Sequence, residues 1–245
     1  MKIFCLFIFL IFFIPCVYAQ VLEKGGWNDF TGRIGKKDCQ LSLYLFDDGT
    51  IRGNYVFKHD SVKHYLSGHL KKNAFFLRED GHKKAVFKGN AISDPADEVQ
   101  GTYTDSLTKQ TLKFGFLSES TNIGRYGNRY ADLGATEDEI EGFVKTAKRA
   151  ILNGDKKWLA KHVQYPVRHV LGKGYPLIKN KQLFIKYFDQ IFTQKFKDKV
   201  RQDYVTNLFT KYDSVMLGNG EIWVSGNSDS AGDKPGFIII AINNK

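Results

Sequence analysis

Apolar residues recur at every second position between residues 27 and 117, and this alternation constrains the fold of the chain more than any other feature. Leu41 to Leu45 form one such series, and Ile51 to Phe57 form the next after the turn-forming pair Asp48-Gly49. Alternation is typical of strands with one buried face, and an Asp-Gly pair supports a tight hairpin turn. About eight short strands without a helical segment predict an antiparallel β-barrel or a curled meander sheet, because closure removes exposed strand edges.

The pattern changes to helical spacing after residue 135. Thr136 and Glu139 have the spacing of a capping box, and apolar residues from Ile140 to Ile151 then recur on one helix face. Gly154 is placed to end this helix, a second short helix follows, and Asn180 is placed to cap a third. The second half of the chain therefore begins with three predicted helices, and Phe196 and Val200 either extend the third or belong to another helix.

Extended segments complete the second half. Tyr165 to Leu171 is predicted to be extended, and Ser214 to Leu217 and Glu221 to Val224 flank the turn Gly218-Asn219-Gly220. The continuous apolar run Phe237 to Ile242 predicts a central strand that is packed on both faces.

Helices followed by a curved antiparallel sheet are the order of the NTF2-like (cystatin-like) α+β cone, and the second half resembles that superfamily. The resemblance rests on Ile151-Leu152-Asn153-Gly154-Asp155, on Val163-Gln164-Tyr165-Pro166-Val167 and on Gly218-Asn219-Gly220-Glu221-Ile222-Trp223. It implies a fold, and it does not by itself imply an activity, because this fold hosts unrelated functions.

The first half resembles the small lipocalin-type meander barrels of exported bacterial proteins. The recurring segments Gly53-Asn54-Tyr55, Gly68-His69-Leu70 and Gly101-Thr102-Tyr103 carry this resemblance. We therefore expect an α+β protein in which a β-barrel or curled sheet precedes an NTF2-like domain. The expected segments are a signal peptide (1–19), a β domain (20–117), a linker (118–135) and the NTF2-like domain (136–245).

The N-terminus has the layout of a secretory signal peptide. Lys2 precedes an apolar run from Ile3 to Ile14, and the small-residue segment Val17-Tyr18-Ala19 predicts cleavage near Ala19-Gln20. The run is shorter than the roughly 20 residues of a membrane-spanning helix, so we expect a periplasmic or secreted protein rather than an integral membrane protein. Two of the three cysteines lie in this leader, which leaves Cys39 as a predicted buried thiol without an intrachain disulfide.

The chain is basic, with a formal net charge of +10 that falls to +9 when Lys2 is removed with the leader. A basic surface attracts anionic partners over long distances. For an exported protein we expect an acidic protein partner or an anionic component of the cell envelope, and no nucleic acid. The alternative interpretation is that scattered lysines only maintain solubility.

Candidate catalytic residues follow from the NTF2-like resemblance, which implies an acid–base pair inside the cone in those members that are enzymes. Residues that could supply such a pair are Asp213, His162, His169, Glu221 and Tyr165. Each also has an ordinary structural interpretation; Glu221, for example, follows a turn and is expected to be exposed. The histidine spacings do not match zinc-ligand pairs, so we predict no metal and no cofactor.

Aromatic residues on the alternating strands are candidates for ligand binding inside a barrel. The residues that could line such an interior are Tyr44, Tyr55, Phe57, Tyr65, Phe87, Tyr103 and Phe116, of which Tyr55, Phe57, Tyr103 and Phe116 are the candidate ligand-binding residues. The alternative is that a small eight-stranded barrel is simply filled by its own side chains.

No serine nucleophile elbow, Walker loop or dinucleotide-binding glycine motif is present in the sequence. The sequence therefore favours an exported non-enzymatic binding protein, specifically a periplasmic inhibitor or immunity protein directed at a cell-envelope-directed toxin or hydrolase. One alternative is a carrier of lipid or another small apolar ligand. The other is a small lyase, isomerase or hydrolase that uses the cone.

Overall fold

The computed structural model describes residues 21–60, 62–81, 85–93, 95–167, 176–227 and 236–244. The predicted signal peptide lies outside these residues. The described chain forms a closed β-barrel followed by a unit of helices packed on a four-stranded sheet, and each of the two units has its own hydrophobic core.

The barrel is an antiparallel meander in which each strand pairs with the next and the last pairs with the first. Its strands are β1 Gly26–Ile34, β2 Lys37–Leu45, β3 Thr50–Phe57, β4 Lys63–Lys71, β5 Ala74–Glu79, β6 Val86–Ile92, β7 Glu98–Thr104 and β8 Thr111–Ile123. The predicted eight-stranded antiparallel barrel is confirmed. The alternation of apolar residues is the cause, since it supplies one buried face per strand to a common interior.

The barrel interior is filled by aliphatic side chains and by a set of aromatic rings that contact one another. Phe87 lies at its centre, with ring centroids 5.2 Å from Tyr55 and 5.4 Å from Phe114. Glycines allow the neighbouring strands to come close: a Cβ atom on Gly68 would lie under 3.0 Å from the carbonyl oxygen of Phe76. The interior is therefore a packed core of the kind expected for a barrel of this size.

In the described residues, the C-terminal unit begins with a 3-10 helix, Ala131–Leu133, followed by five α-helices. They are α1 Glu137–Asn153, α2 Lys156–Lys161, α3 Lys181–Lys186, α4 Phe188–Ile191 and α5 Gln194–Gln202. The predicted capping box of α1 is confirmed, since the Thr136 hydroxyl accepts from the Glu139 backbone and the Glu139 carboxylate accepts from the Thr136 backbone. The predicted third helix is divided into α3, α4 and α5, and the Thr193 hydroxyl caps α5 by accepting from the Phe196 backbone.

None of the helices in the described part of the chain is long and apolar enough to cross a membrane.

The C-terminal sheet has four antiparallel strands in the order β12-β11-β10-β9. They are β9 Phe209–Lys211, β10 Ser214–Leu217, β11 Ile222–Asn227 and β12 Gly236–Ile242. The hairpin of β10 and β11 is confirmed, and β9 was not expected from the sequence.

The prediction that Phe237 to Ile242 forms a central strand is wrong, because β12 lies at the edge of the sheet. Its outer side is covered by an irregular segment: the Ile239 backbone donates to the carbonyl of His162 (2.7 Å) and accepts from Gln164 (2.9 Å). An apolar edge strand is tolerated when its free backbone groups are bonded in this way. Of the predicted extended segment Tyr165 to Leu171, only its first three residues are described, and they form no strand.

The predicted linker is tied to both units. β8 continues to Ile123, so the first six residues of the predicted linker (118–123) belong to the barrel. Tyr126 stacks on Trp27 of β1 with ring centroids 5.9 Å apart, whereas Tyr130 is fully buried in the C-terminal core.

Candidate functional site

The C-terminal unit packs against the outer side of the barrel at β1, β2, β3, β4 and β8. Outward-facing polar side chains of these strands are consequently buried: Asp29, Gln40, Ser42, Asn54 and Asn122. They would have been solvated on an isolated barrel, so their burial marks the contact between the two units.

A buried ion pair anchors the segment between the units to the barrel. The Arg129 guanidinium donates to Asp29 on β1 and to the Ser42 hydroxyl (3.0 Å). Asp29 also accepts from Ser42 (2.6 Å) and from Asn122 (2.9 Å). Buried charges are tolerated when they are paired and hydrogen-bonded; here both terminal nitrogens of Arg129 are bonded, and its Nε has no partner among the described residues.

Paired amides form the centre of the contact between the units. Asn54 and Asn207 donate to each other's side-chain oxygens, at 3.2 Å and 2.8 Å. Gln40 accepts from Thr206 (3.2 Å) and from Asn207 (3.3 Å). These bonds are satisfied in one relative orientation of the two units, which they therefore specify.

The units also enclose a cleft of about 580 Å³ whose lining includes Lys58 and Thr31 from the barrel and Asp203, Tyr204 and Phe209 from the C-terminal unit. Asp203 Oδ2 is buried without a hydrogen-bond partner among the described residues. An unsatisfied buried acceptor is uncommon in folded proteins.

A second carboxylate lies beside Asp203. Gly218 has a positive φ of 68°, and a Cβ atom at this position would lie under 3.0 Å from both Asp203 Oδ2 and Glu221 Oε2. Burial, followed by the charge of Glu221, raises the pKa of Asp203 to about 6. Lys148 lies on the other side, where its ammonium donates to the main-chain oxygens of Arg201 (3.1 Å) and Asp203.

Basic side chains project outward from β3, β5, β6 and β8 of the barrel. We call Arg52, Phe76, Arg78, Lys88 and Lys113 the basic face. Arg52 and Arg78 both pair in register with Ser67, and Lys88 and Lys113 both pair with Thr102. The outward-facing positions of β3, β4, β5 and β6, all of them described, include no carboxylate, whereas Glu98 faces outward on β7 and Asp80, just after β5, accepts from the Ser67 hydroxyl (2.7 Å).

An exposed aromatic ring lies within the basic face. Phe76 is 37% exposed, and its ring centroid lies 5.1 Å from the Arg78 guanidinium and 5.7 Å from the Lys88 ammonium. None of the four cations of this face forms an ion pair with another described residue. The arrangement can accept carboxylates around an aromatic contact.

The four candidate catalytic residues that the structure describes are not brought together. His162 stacks on Trp158 with ring centroids 4.0 Å apart, and Tyr165 donates to the carbonyl of Ala160 (3.0 Å). Asp213 lies in the exposed turn between β9 and β10. His169 lies outside the described residues.

Glu221 was expected to be exposed, and this is wrong: it is 8% exposed. Its carboxylate folds back onto the turn, where it accepts from the Asn219 backbone (2.7 Å) and lies 3.4 Å from the Lys199 ammonium. Sequence reasoning missed its neighbour Asp203, because the two carboxylates meet only through the tertiary fold.

Three of the four candidate ligand-binding residues lie together: Tyr55, Phe57 and Tyr103 line a pocket of about 270 Å³ at one end of the barrel. Phe116, like Phe87, is buried in the core of the barrel. The expectation that Tyr44 and Tyr65 line the interior is wrong, because Tyr44 packs outside the barrel against Trp27 and Tyr126 and Tyr65 is exposed. Within the described part of the chain, no group of three or more His, Cys, Asp or Glu residues is arranged to hold a metal ion.

No family model, no curated protein and no solved structure matches this chain.

Proposed function

We propose that the chain is an exported, non-enzymatic binding protein whose basic face binds an acidic protein partner. Within this class we propose a periplasmic inhibitor or immunity protein that binds a cell-envelope-directed toxin or hydrolase. The observation that carries the proposal is the basic face itself, in which Arg78 and Lys88 lie over the exposed ring of Phe76.

Charge complementarity is the physical reason. The cations of the basic face are carried by β3, β5, β6 and β8 of one closed barrel, so the barrel fixes their relative positions. Complementary charge raises the rate of encounter and disfavours wrong partners, while a central aromatic contact supplies apolar burial. An inhibitor needs only this complementarity and no catalytic group.

The two folds support the same proposal as scaffolds. We propose that the barrel is of lipocalin type and that the C-terminal unit is an NTF2-like domain, on its order of helices followed by an antiparallel sheet. The filled barrel interior favours surface binding over the carriage of a lipid.

The proposal is tested with a charge-reversal variant, Arg78→Glu/Lys88→Glu/Lys113→Glu. The purified chain is immobilised on a solid support and incubated with an extract of the cell envelope, and the protein that it retains is identified by mass spectrometry. The affinity of the purified pair is then measured at low and at high salt. We expect the variant to bind at least about 100-fold more weakly, and we expect salt to weaken binding of the unaltered chain.

A matched control reverses three exposed lysines on the C-terminal helices: Lys145→Glu, Lys157→Glu and Lys181→Glu. It changes the net charge by the same amount and should bind almost as well as the unaltered chain. Equal losses in both variants would mean that net charge alone governs binding. Tight binding to anionic lipid vesicles, with no acidic protein recovered, would refute a protein partner.

A further inference from the structure

The pocket at the end of the barrel has an aromatic wall and a network of polar side chains. Tyr55 and the imidazole of His64 are stacked, with ring centroids 4.7 Å apart and an interplanar angle of 18°. Phe57 and Tyr103 lie at 5.5 Å and 6.1 Å from Tyr55. The pocket is formed by strand ends and the loops between them, at a position apart from the basic face.

Glu79 organises the polar side of this pocket. Its Oε2 accepts from the Tyr55 hydroxyl (3.0 Å) and from the Ala85 backbone (3.3 Å), and its Oε1 lies 2.9 Å from His64 Nδ1. A carboxylate can only accept, so the bond assigns the proton of the neutral imidazole to Nδ1. Nε2 is then an acceptor, and no described residue forms a hydrogen bond with it.

The other carboxylates at this end of the barrel already accept hydrogen bonds. Asp60 accepts from the Val62 backbone (3.1 Å) and lies 3.5 Å from His59 Nε2. Asp105 Oδ1 accepts from the backbones of Leu107 (2.8 Å) and Thr108 (3.0 Å). A cationic ligand would have to compete for these oxygens, whereas His64 Nε2 is open to a neutral donor.

We propose that this pocket is a binding site for a neutral one-ring aromatic molecule that carries a hydroxyl group. The ring packs against Phe57 and Tyr103, and the hydroxyl donates to His64 Nε2. The volume suits this class, because a cavity of about 150 Å³ already holds a benzene ring and about 270 Å³ leaves room for substituents. Glu79 is a positioning residue that holds the tautomer of His64.

The test compares three probes on the purified full chain: 4-methylphenol, toluene and benzylamine. Backbone amide shifts of Lys37, Phe57 and Leu107, which line the pocket, report binding by NMR titration. We expect saturable shifts at these amides with 4-methylphenol, and about fivefold weaker binding of toluene, which lacks the hydrogen-bond donor. Benzylamine, a cation, should bind more weakly than 4-methylphenol.

The variant His64→Phe should lower the affinity for 4-methylphenol to that for toluene and leave toluene unchanged. His69→Phe is the matched control, since His69 lies on the same strand but is directed outward, and it should bind all probes as the unaltered chain does. The inference is overturned if 4-methylphenol causes no saturable shift at the three amides, or if toluene or benzylamine binds as tightly. The probe comparison uses the unaltered chain, so it decides the matter even if a variant does not fold.

Discussion

The substitution Asp203→Asn should stabilise the protein at alkaline pH. Burial and the neighbouring Glu221 raise the pKa of Asp203 from 3.8 to about 6. The ionised carboxylate of Asp203 is therefore less stable in the folded state than in the unfolded state. A shift of about two pKa units corresponds to roughly 3 kcal/mol at most. Asp203 is only partly buried, and solvent screening reduces the expected effect to about 1–2 kcal/mol.

The sign follows from proton linkage. Below about pH 4 both states are protonated, so the carboxyl imposes no electrostatic penalty on folding. Between about pH 4 and pH 6 the folded state retains a proton that the unfolded state has released, and this carboxyl therefore lowers stability as the pH rises. Above pH 6 the full penalty is present, and asparagine removes it.

Urea unfolding followed by tryptophan fluorescence at pH 4 and pH 8 measures the difference. We expect Asp203→Asn to be more stable than the unaltered chain by about 1–2 kcal/mol at pH 8 and close to it at pH 4. Asp213→Asn is the control, since it removes the same charge from an exposed turn. A loss of stability for Asp203→Asn at pH 8, or a gain equal at both pH values, would refute the reasoning.

Three further predictions concern the rest of the molecule. Arg129→Met should lower the free energy of unfolding in urea by about 3 kcal/mol, because it leaves Asp29 buried with only neutral donors. The double variant Asp29→Asn/Arg129→Met should recover most of that loss. Equal stability of the single variant and the unaltered chain would contradict this prediction. Thr136→Ala removes the N-cap of α1 and should lower the stability by about 1 kcal/mol, whereas no change would mean that the capping box contributes nothing. Burial raises the pKa of the Cys39 thiol to about 12, so it should resist a thiol reagent such as DTNB until the chain is unfolded, and rapid labelling of the folded chain would show otherwise.

The barrel and the helix starts were predictable because their causes are local. Alternation between residues 27 and 117 requires strands with one buried face, and eight such strands satisfy their edges by closing. The capping box at Thr136 and Glu139 is formed within four residues of the chain. Both features depend on neighbours in sequence, so a single sequence contains them.

The contact between the two units was not predicted, because alternation identifies only the face that points into the barrel. Asp29, Gln40 and Asn54 point outward and are polar, which is also typical of solvated positions. One difference in sequence indicated the contact. The outward positions of β2 include the short polar residues Gln40 and Ser42, whereas the outward positions of β5 and β6 include the long cations Arg78 and Lys88. Short amides and hydroxyls can be fully bonded under a second unit, whereas long cations remain in water.

Asp203 shows the same limit for a functional group. Nothing near it in sequence distinguishes it from a residue that ends a helix, and its raised pKa arises from burial and from Glu221, which is eighteen positions away. The apolar composition of Phe237 to Ile242 likewise predicts a central strand, although the strand lies at the edge of the sheet. Its outer edge is covered by residues near His162, a pairing that no pattern inside the strand could indicate.

The polar contact between the units has a consequence for binding. Paired amides and the Asp29–Arg129 ion pair are satisfied in one orientation, so the cleft around Asp203 has a fixed shape while each unit keeps its own core. In a closed barrel of eight strands, β5 lies across from β1, so Phe76 and Arg78 on β5 lie on the side opposite β1, where Asp29 holds Arg129. A partner bound to Phe76 and Arg78 would leave the cleft open, and the pKa of Asp203 should stay near 6 in the complex. A large change in that pKa on binding would mean that the partner reaches the cleft, and the basic face could not then be the whole of the interface.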